Sequence, residues 1–449
     1  MTNIFLNSQV YANTMLLLFK NNLVMGRLVD GQFKDQVTDE NGLTVNVKRP
    51  PRFVDTKDGT AALVAQDLVT GSMPVAVNQY SKVHISIGDI EYVSSFNALM
   101  QNESMKSAAS TLAHSVDMFL AGFTKKFHSW IAGTAPGTIA ANASDPTKLI
   151  ATSAMANAGH TRLMSQGVPD SDLKGVINYD DASSILGSLA YGVNQPDMVR
   201  SALECTKVPM LGTVDWYSTQ HCPNFTTGTR LQGDGSSTGY QVNASGGNVN
   251  YRDVKGSAGV AGMIQTLALK SAINADTIKI GEVFTIEGVY AWDWRAQQAL
   301  PYLQQFTVVG DSTGAATDIT VSGTTVTVTI SPPMIVQGTT DGTNTYANSA
   351  FGTVAQAPLT NAYVKWVGAP SATTQVKSVF NKRAISLVSA RLQMPFTGNA
   401  SMAMDPDTGI AIRYWRGSDI TTGAHVHRWD MMYGAACMDP FLGTRLCGT

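Results

Sequence analysis

The sequence predicts an α+β protein interrupted by a β-rich insert. Three observations carry that expectation. Met105, Ala109, Leu112, Val116, Leu120 and Phe127 recur at the helical period and mark one long helix. Gly, Thr, Ser and Asn dominate from about 225 to 370, where short apolar runs alternate with turn signals. After the insert, KRAISLVSARLQMP, GIAIRYWRGSD and HVHRWDMMYGAACMDP read as three further strands.

Each element follows from local chemistry. Residues 8–29 predict a helix, with Ser8 as N-cap, Val10, Met15, Leu18, Phe19 and Leu23 near one face, and Gly31 as stop. Leu43, Val45 and Val47 alternate with polar residues as a strand should. Val77, Val83, Ile85 and Ile87 mark a returning strand region, and Pro50, Pro51, Gly59 and Gly71 lie between. The whole is a long hairpin-like excursion with too little core to stand alone. The long helix is expected over about 104–130, with Lys125 and Lys126 suited to its C-terminal end and the glycines of 133–137 breaking it. Residues 147–166 predict another helix. GVINYDDASSILGSLAYG reads as a strand and then a helix capped by Asp180 or Asp181, and VPMLGTVDWYST as a turn and strand. In the insert, MIQTLALK, VFTIEG, FTVVG and TTVTVTI are strands of a compact barrel or sandwich, with period two from Thr325 to Ile330. The three tail segments are expected to complete the sheet begun near Leu173 and Val214. Internal repeats, heptads and charged tails are absent from the sequence.

Composition excludes several classes. Charged residues are 14%, against the usual ~25%. Such a surface points to association, or to a Ser/Thr/Asn-rich exterior. A net charge of −2 rules out a strongly basic nucleic-acid binder, so contact with DNA would be local or non-specific. Cys205, Cys222, Cys437 and Cys447 form no CxxC pair and read as small buried apolar residues in a reducing compartment. MTNIFLNSQVYANTMLLLFKNN lacks a basic n-region, which argues against a signal peptide. No stretch approaches the ~20 apolar residues of a membrane-spanning helix. The protein is therefore expected to be made and kept in a cytoplasm.

The chemistry-bearing residues are few. His425 and His427 would share one strand face with Trp429, while Val426, Arg428 and Asp430 take the other. A metal would need a third ligand from elsewhere. Cys437 and Cys447 lie too far along, around the turn at Asp439–Pro440. A structural strand is the expectation, with Arg428 and Asp430 tying it to a neighbour. Gly256, Gly259 and Gly262 lack the strand–helix context of a phosphate loop. NAS at Asn142, Asn243 and Asn399 matches a glycosylation sequon that is empty without a secretory signal. The KRPPR run would touch DNA or, on three cations and two rigid prolines, form a solvated loop or protein contact. No catalytic, cofactor-binding or metal residue is assigned.

The order of parts resembles the major capsid proteins of tailed bacteriophages, of the Hong Kong phage type fold. Within them it is similar to the coat proteins of short-tailed phages that carry an inserted domain. GIAIRYWRGSD followed by HRWDMMYGAACMDPFLGTRLCG looks like that branch's terminal strands. TVNVKRPPR looks like the rising strand of its extended loop, and GEVFTIEGVYAWD like a β-motif of its inserted domain. The resemblance implies an N-terminal arm helix at 1–34 and an extended loop at 35–88. A first part of the peripheral and axial domains follows at 89–228, then a β-barrel-like insert at 229–370 and closing strands at 371–449. It implies a major capsid protein, with no catalysis and no cofactor. Pentamers and hexamers would close into an icosahedral shell around a scaffolding protein, with a portal protein at one vertex. The shell would expand as double-stranded DNA is packaged. The alternatives are a β-rich decoration, fibre or extracellular binding protein and, on the two histidines alone, a metal-dependent enzyme.

One set of residues is expected at a contact between subunits: Lys48, Arg49, Arg52, Phe53, Asp55, Lys57 and Asp58. This stretch has one large apolar residue, Phe53, and cannot bury enough surface to order itself. Pro50 and Pro51 stiffen it and prevent regular strand pairing. Arg49 and Arg52 would then reach carboxylates of the neighbouring subunit.

Overall fold

The computed structural model describes residues 8–33, 43–48, 52–53, 55, 72–88, 97–132, 150, 152–192, 208–233, 237–243, 263–338, 350–395, 399–419, 421 and 424–447. The chain divides into two units. The first combines Met1–Val47, Pro74–Gly122 and Ile385–Cys437; the second combines Lys48–Met73, Phe123–Ala384 and Met438–Thr449.

The first unit is an antiparallel sheet with helices against it. Its helices are α1 (Ser8–Asn22), α2 (Met25–Leu28) and α3 (Asn97–Phe123). β1 (Thr44–Lys48) and β2 (Ser72–Ala76) pair as a two-stranded ribbon, in which Val45, Val47 and Val75 are buried. The main sheet runs β18 (Ile385–Ala390), β21 (Ala424–Cys437), β20 (Ala411–Asp419), β19 (Asn399–Met404), and β3 (Gln79–Gly88) also pairs with β21. β21 is long enough to hold β3 along 424–433 and β18 along 432–437. Gly434 is required there. A Cβ on it would lie 2.0 Å from the Ala76 carbonyl, so bare backbone lets the end of β2 cross the strand.

α1 buries Ala12, Met15 and Phe19 on one face, and Tyr11 stacks on Tyr414 of β20 at 5.4 Å between centroids. Lys20 at its far end pairs with Asp405 at 3.0 Å. The sequence expectation of one helix over 8–29 is corrected by a break before Met25. Asp117 of α3 causes it. Its carboxylate accepts from Val24 N at 2.9 Å and Gly26 N at 3.2 Å, taking amides that a continuous helix would use itself. The long helix also differs from the expected 104–130. It runs Asn97–Phe123, passes through a 3-10 turn at Thr124–Lys126, and Trp130 already lies in β4 (Ser129–Ala132). Phe127 and Trp130 continue the apolar spacing because both are buried, although neither is helical.

The second unit holds a mixed five-stranded sheet ordered β4, β22 (Gly443–Cys447), β17 (Lys377–Asn381), β5 (Leu173–Ile177), β6 (Val214–Ser218). β22 is parallel to β4, and β5 is parallel to β6; the pairs about β17 are antiparallel. α4 (Ser153–Ser165) and α5 (Tyr179–Gly192) pack on it through a core that includes Leu163, Ile185, Trp216, Val379 and Leu446. Thr152 caps α4 by accepting from Met155 N at 3.3 Å, which starts the helix later than the expected 147. The tail is likewise corrected. The strands expected to complete the sheet of Leu173 and Val214 instead build the first unit's sheet, and β17, β22 and β4 complete this one.

The remaining strands form a barrel. Its order is β15 (Val364–Trp366), β11 (Val283–Asp293), β12 (Gln298–Gly310), β14 (Thr325–Ser331), β9 (Gln265–Lys270), β8 (Gln241–Val242), with every pair antiparallel. Val364 N donates to Tyr240 O at 2.8 Å and Val242 N to Ala362 O at 2.9 Å, so the two edges join each other. Among the described residues, these bonds pair the two edge strands with each other and nearly close the sheet. The interior is apolar, with Phe284 and Tyr240 against the Trp366 ring at 5.0 and 5.7 Å. β10 (Thr277–Ile278) pairs with β13 (Ile319–Thr320) beside it. The chain enters and leaves through a neck: β7 (Asn224–Thr226) pairs with β16 (Thr373–Gln375), and Ser371 N donates to Gly228 O at 2.9 Å. Just inside the neck, the buried pair Arg230–Glu282 spans 3.1 Å, and Arg230 also donates to Val367 O and Gly368 O. Both chain crossings are thereby fixed to one ion pair.

Candidate assembly surface

The histidine strand is a piece of core. On β21, His425, His427 and Trp429 alternate with Val426, Arg428 and Asp430, so the two sets take opposite faces. His427 is only 6% exposed and shares a 2.7 Å hydrogen bond between Nδ1 and the Tyr414 hydroxyl. Burial first, then the nearby Arg416 and His425, push its imidazole down to about 4, so it is neutral at pH 7. Across the sheet, fully buried Asp430 accepts from Arg413 of β20 and Arg428 of its own strand, each at 2.6 Å. Arg428 also bonds the Tyr80 hydroxyl of β3. The expected tie between strands is thus made by Asp430, Arg413, Arg428 and Tyr80. Among the described residues no three His, Cys, Asp or Glu side chains are grouped as a metal site. Cys222, Cys437 and Cys447 are buried, and burial holds the Cys222 thiol up at about 12; Cys205 lies outside the described residues.

Two other clusters have simple structural explanations. The sequence expects Asp180 or Asp181 to cap α5. The side chain at the cap is instead Asn178, whose Oδ1 accepts from Tyr179 N at 2.7 Å. Asp181 points inward, where it accepts from Lys377 Nζ and Ile150 N, both at 2.8 Å. His160, Asp170 and Thr213 meet at one edge, an arrangement that no sequence spacing signals. Thr213 and Asp170 both use the same imidazole nitrogen, Nε2, at 3.1 and 3.0 Å, and they also bond each other. A proton relay needs the acid on the other ring nitrogen, so this is a closed triangle of surface bonds.

The extended-loop set divides. Lys48 ends β1. Arg49, Lys57 and Asp58 lie outside the described residues, as do Pro50, Pro51, Gly59, Gly71 and the three spaced glycines. Arg52 is engaged within its own chain. Its guanidinium lies 4.7 Å from the Trp294 ring centroid and 5.4 Å from that of Phe351, and 3.8 Å from the Asp439 carboxylate. These partners are far apart in sequence, and no spacing could have found them. Phe53, 56% exposed, and Asp55, also exposed, follow directly. The arrangement anchors one point of the loop by stacking and presents an apolar ring and a carboxylate beside the anchor.

No helix among the described residues is long and apolar enough to cross a membrane. A family model described as "P22 coat protein - gene protein 5" matches residues 2–448. Among solved structures, the chain is similar to one of Mycobacterium phage Che8 at 11% identity, covering 94% of this chain and 90% of that chain, with a TM-score of 0.43. It is similar to the capsid of Ralstonia phage GP4 at 7% identity, covering 91% and 84%, with a TM-score of 0.43. It is similar to the CUS-3 coat protein I-domain at 25% identity, covering 30% of this chain and 100% of that one, with a TM-score of 0.21. No curated protein matches the chain.

Proposed function

The chain belongs to the P22 coat protein family, and from that membership we infer how its parts serve the phage shell. It is a major capsid protein: copies of it form the shell of the virion. The family match along nearly the whole length, residues 2–448, is the single observation that carries this reading. It favours the shell reading over the fibre and decoration alternatives.

The protein works without catalysis, metal or cofactor. Pentamers and hexamers close around an internal scaffolding protein in the host cytoplasm, with a portal protein at one vertex. The procapsid then expands as double-stranded DNA is packaged and contacted non-specifically. The domain limits are an arm at 1–34, an extended loop at 35–88, a peripheral and axial part at 89–228, an insert at 229–370 and closing strands at 371–449. The paired β7 and β16 support the insert's limits, because they bring its entry and exit together. The extended loop bridges to a neighbouring subunit through Phe53 and Asp55, with Lys48, Arg49, Lys57 and Asp58 in the same stretch. Arg52 serves this contact by anchoring the loop to its own chain. The test is sedimentation of the expressed full chain with a co-expressed scaffolding protein. Fast-sedimenting shells are expected, and material that stays subunit-sized under those conditions would overturn the reading.

A further inference from the structure

Arg445 is fully buried and, among the described residues, has no carboxylate partner. Its bonds go to oxygens of distant segments. Nε and one terminal nitrogen donate to Phe127 O at 3.1 and 2.7 Å. That same terminal nitrogen also donates to Thr307 Oγ1 at 3.1 Å, and the other terminal nitrogen donates to Gly281 O at 2.6 Å. Phe127 leaves the 3-10 turn that leads into β4, Gly281 precedes barrel strand β11, Thr307 sits on barrel strand β12, and Arg445 itself is on β22. β22 lies between β4 and β17, so the guanidinium reaches the barrel from inside the five-stranded sheet.

A second bond pair repeats the connection. The side-chain amide of Gln305, on β12, accepts from Trp130 N at 2.7 Å and donates to Trp130 O at 3.0 Å. It occupies a backbone N–H and C=O of β4, the strand at the end of the sheet, as a neighbouring strand would. Thr307 Oγ1 donates to Phe127 O at 3.1 Å beside it. The two side chains from β12 thus meet the same short stretch of chain that Arg445 binds.

A buried cation without its counter-charge is strongly unfavourable unless every donor is satisfied. Arg445 is satisfied only when the turn, the barrel wall and β22 are all in place. The planar fork spans the three at once, which the single ammonium of a lysine cannot do. We propose that Arg445, with Gln305, is a lock that couples the inserted barrel to the five-stranded sheet. The barrel then opens together with that sheet and does not swing independently on its β7–β16 neck. Arg445 and Gln305 act as positioning residues.

The test is amide hydrogen exchange on the full-length soluble subunit, comparing wild type with Arg445→Lys and Gln305→Leu. The expected result is at least tenfold faster exchange at 127–132 and at the neck amides of Thr227, Ser371 and Ala372. Exchange at the barrel-core amides 326–330 stays unchanged. Unaltered neck and 127–132 exchange in both variants overturns the lock. So does equal loss of protection at 326–330, which would make the pair general core residues. Gln305→Leu leaves the buried guanidinium and its acceptors in place, so it supplies the answer if Arg445→Lys fails to fold.

Discussion

His427 shows how a residue that suggests chemistry becomes a stability element. Its folded-state pKa is depressed to about 4 from an ordinary 6.5. The stability it contributes is therefore complete above about pH 6.5 and is lost as pH falls toward 4. One pKa unit between folded and unfolded chain corresponds to ~1.36 kcal/mol, which sets an upper bound of roughly 3 kcal/mol. His427→Gln cannot titrate and should cost about 1–2 kcal/mol at pH 8 through the lost bond to Tyr414. That deficit should shrink or reverse by pH 4.5, as read from denaturant midpoints of the two subunits. A deficit constant with pH would mean that His427 is not the buried neutral group described. Arg52 gives the second residue-scale expectation. Two ring contacts at about 0.5–1 kcal/mol each and a loose ion pair of ~0–1 kcal/mol predict that Arg52→Ala destabilises the subunit by roughly 1–3 kcal/mol. Phe53→Ser, by contrast, should leave subunit stability within ~0.5 kcal/mol and reduce the yield of closed shells. The sequence reads this stretch as lacking a core of its own, because Phe53 is its one large apolar residue. The Arg52 anchor is hidden there because Trp294, Phe351 and Asp439 come together only through the fold.

Among the elements, those with strong local period are readable in the sequence and those defined by long-range pairing are not. Thr325 to Ile330 alternate, and they form β14. The long helix is visible from its stripe. Its end is not, because Phe127 and Trp130 are buried for a different reason, against β22 and the barrel neck. Alternation likewise marks a strand without naming its neighbour, which is why the tail segments read as strands but point to the wrong sheet. The barrel yields an element-scale prediction. Its edges are joined and its core is continuous, so residues 222–377 expressed alone should melt cooperatively with dispersed amide resonances. In that fragment Trp366→Ala should cost about 3–5 kcal/mol, since Tyr240, Phe284 and Arg230 all pack on the indole. Collapsed dispersion in the unmodified fragment would mean that the barrel borrows its stability from the sheet. Gly434→Val should leave little soluble subunit, because the crossing backbone of Ala76 and Val77 cannot retreat from a side chain.

At the scale of the whole molecule, the linear order of parts carries the functional reading. No single motif is distinctive, yet helix, extended loop, long helix, insert and closing strands in one succession resemble a capsid protein, and the family match over residues 2–448 agrees. Low charge fits the same role, since a shell protein covers much of its surface with copies of itself. What the sequence leaves open is how the parts join: the ion pair across the barrel neck, the break imposed by Asp117, and the Arg445 junction are all made between distant residues. The central claim is that this chain builds a closed shell. Electron cryomicroscopy of particles assembled from the purified full chain in the presence of a phage scaffolding protein tests it most directly. The account predicts closed icosahedral particles whose subunit density contains the β21 sheet and the six-stranded barrel. Fibres, open sheets or dispersed subunits, with no closed particles under those conditions, would contradict it.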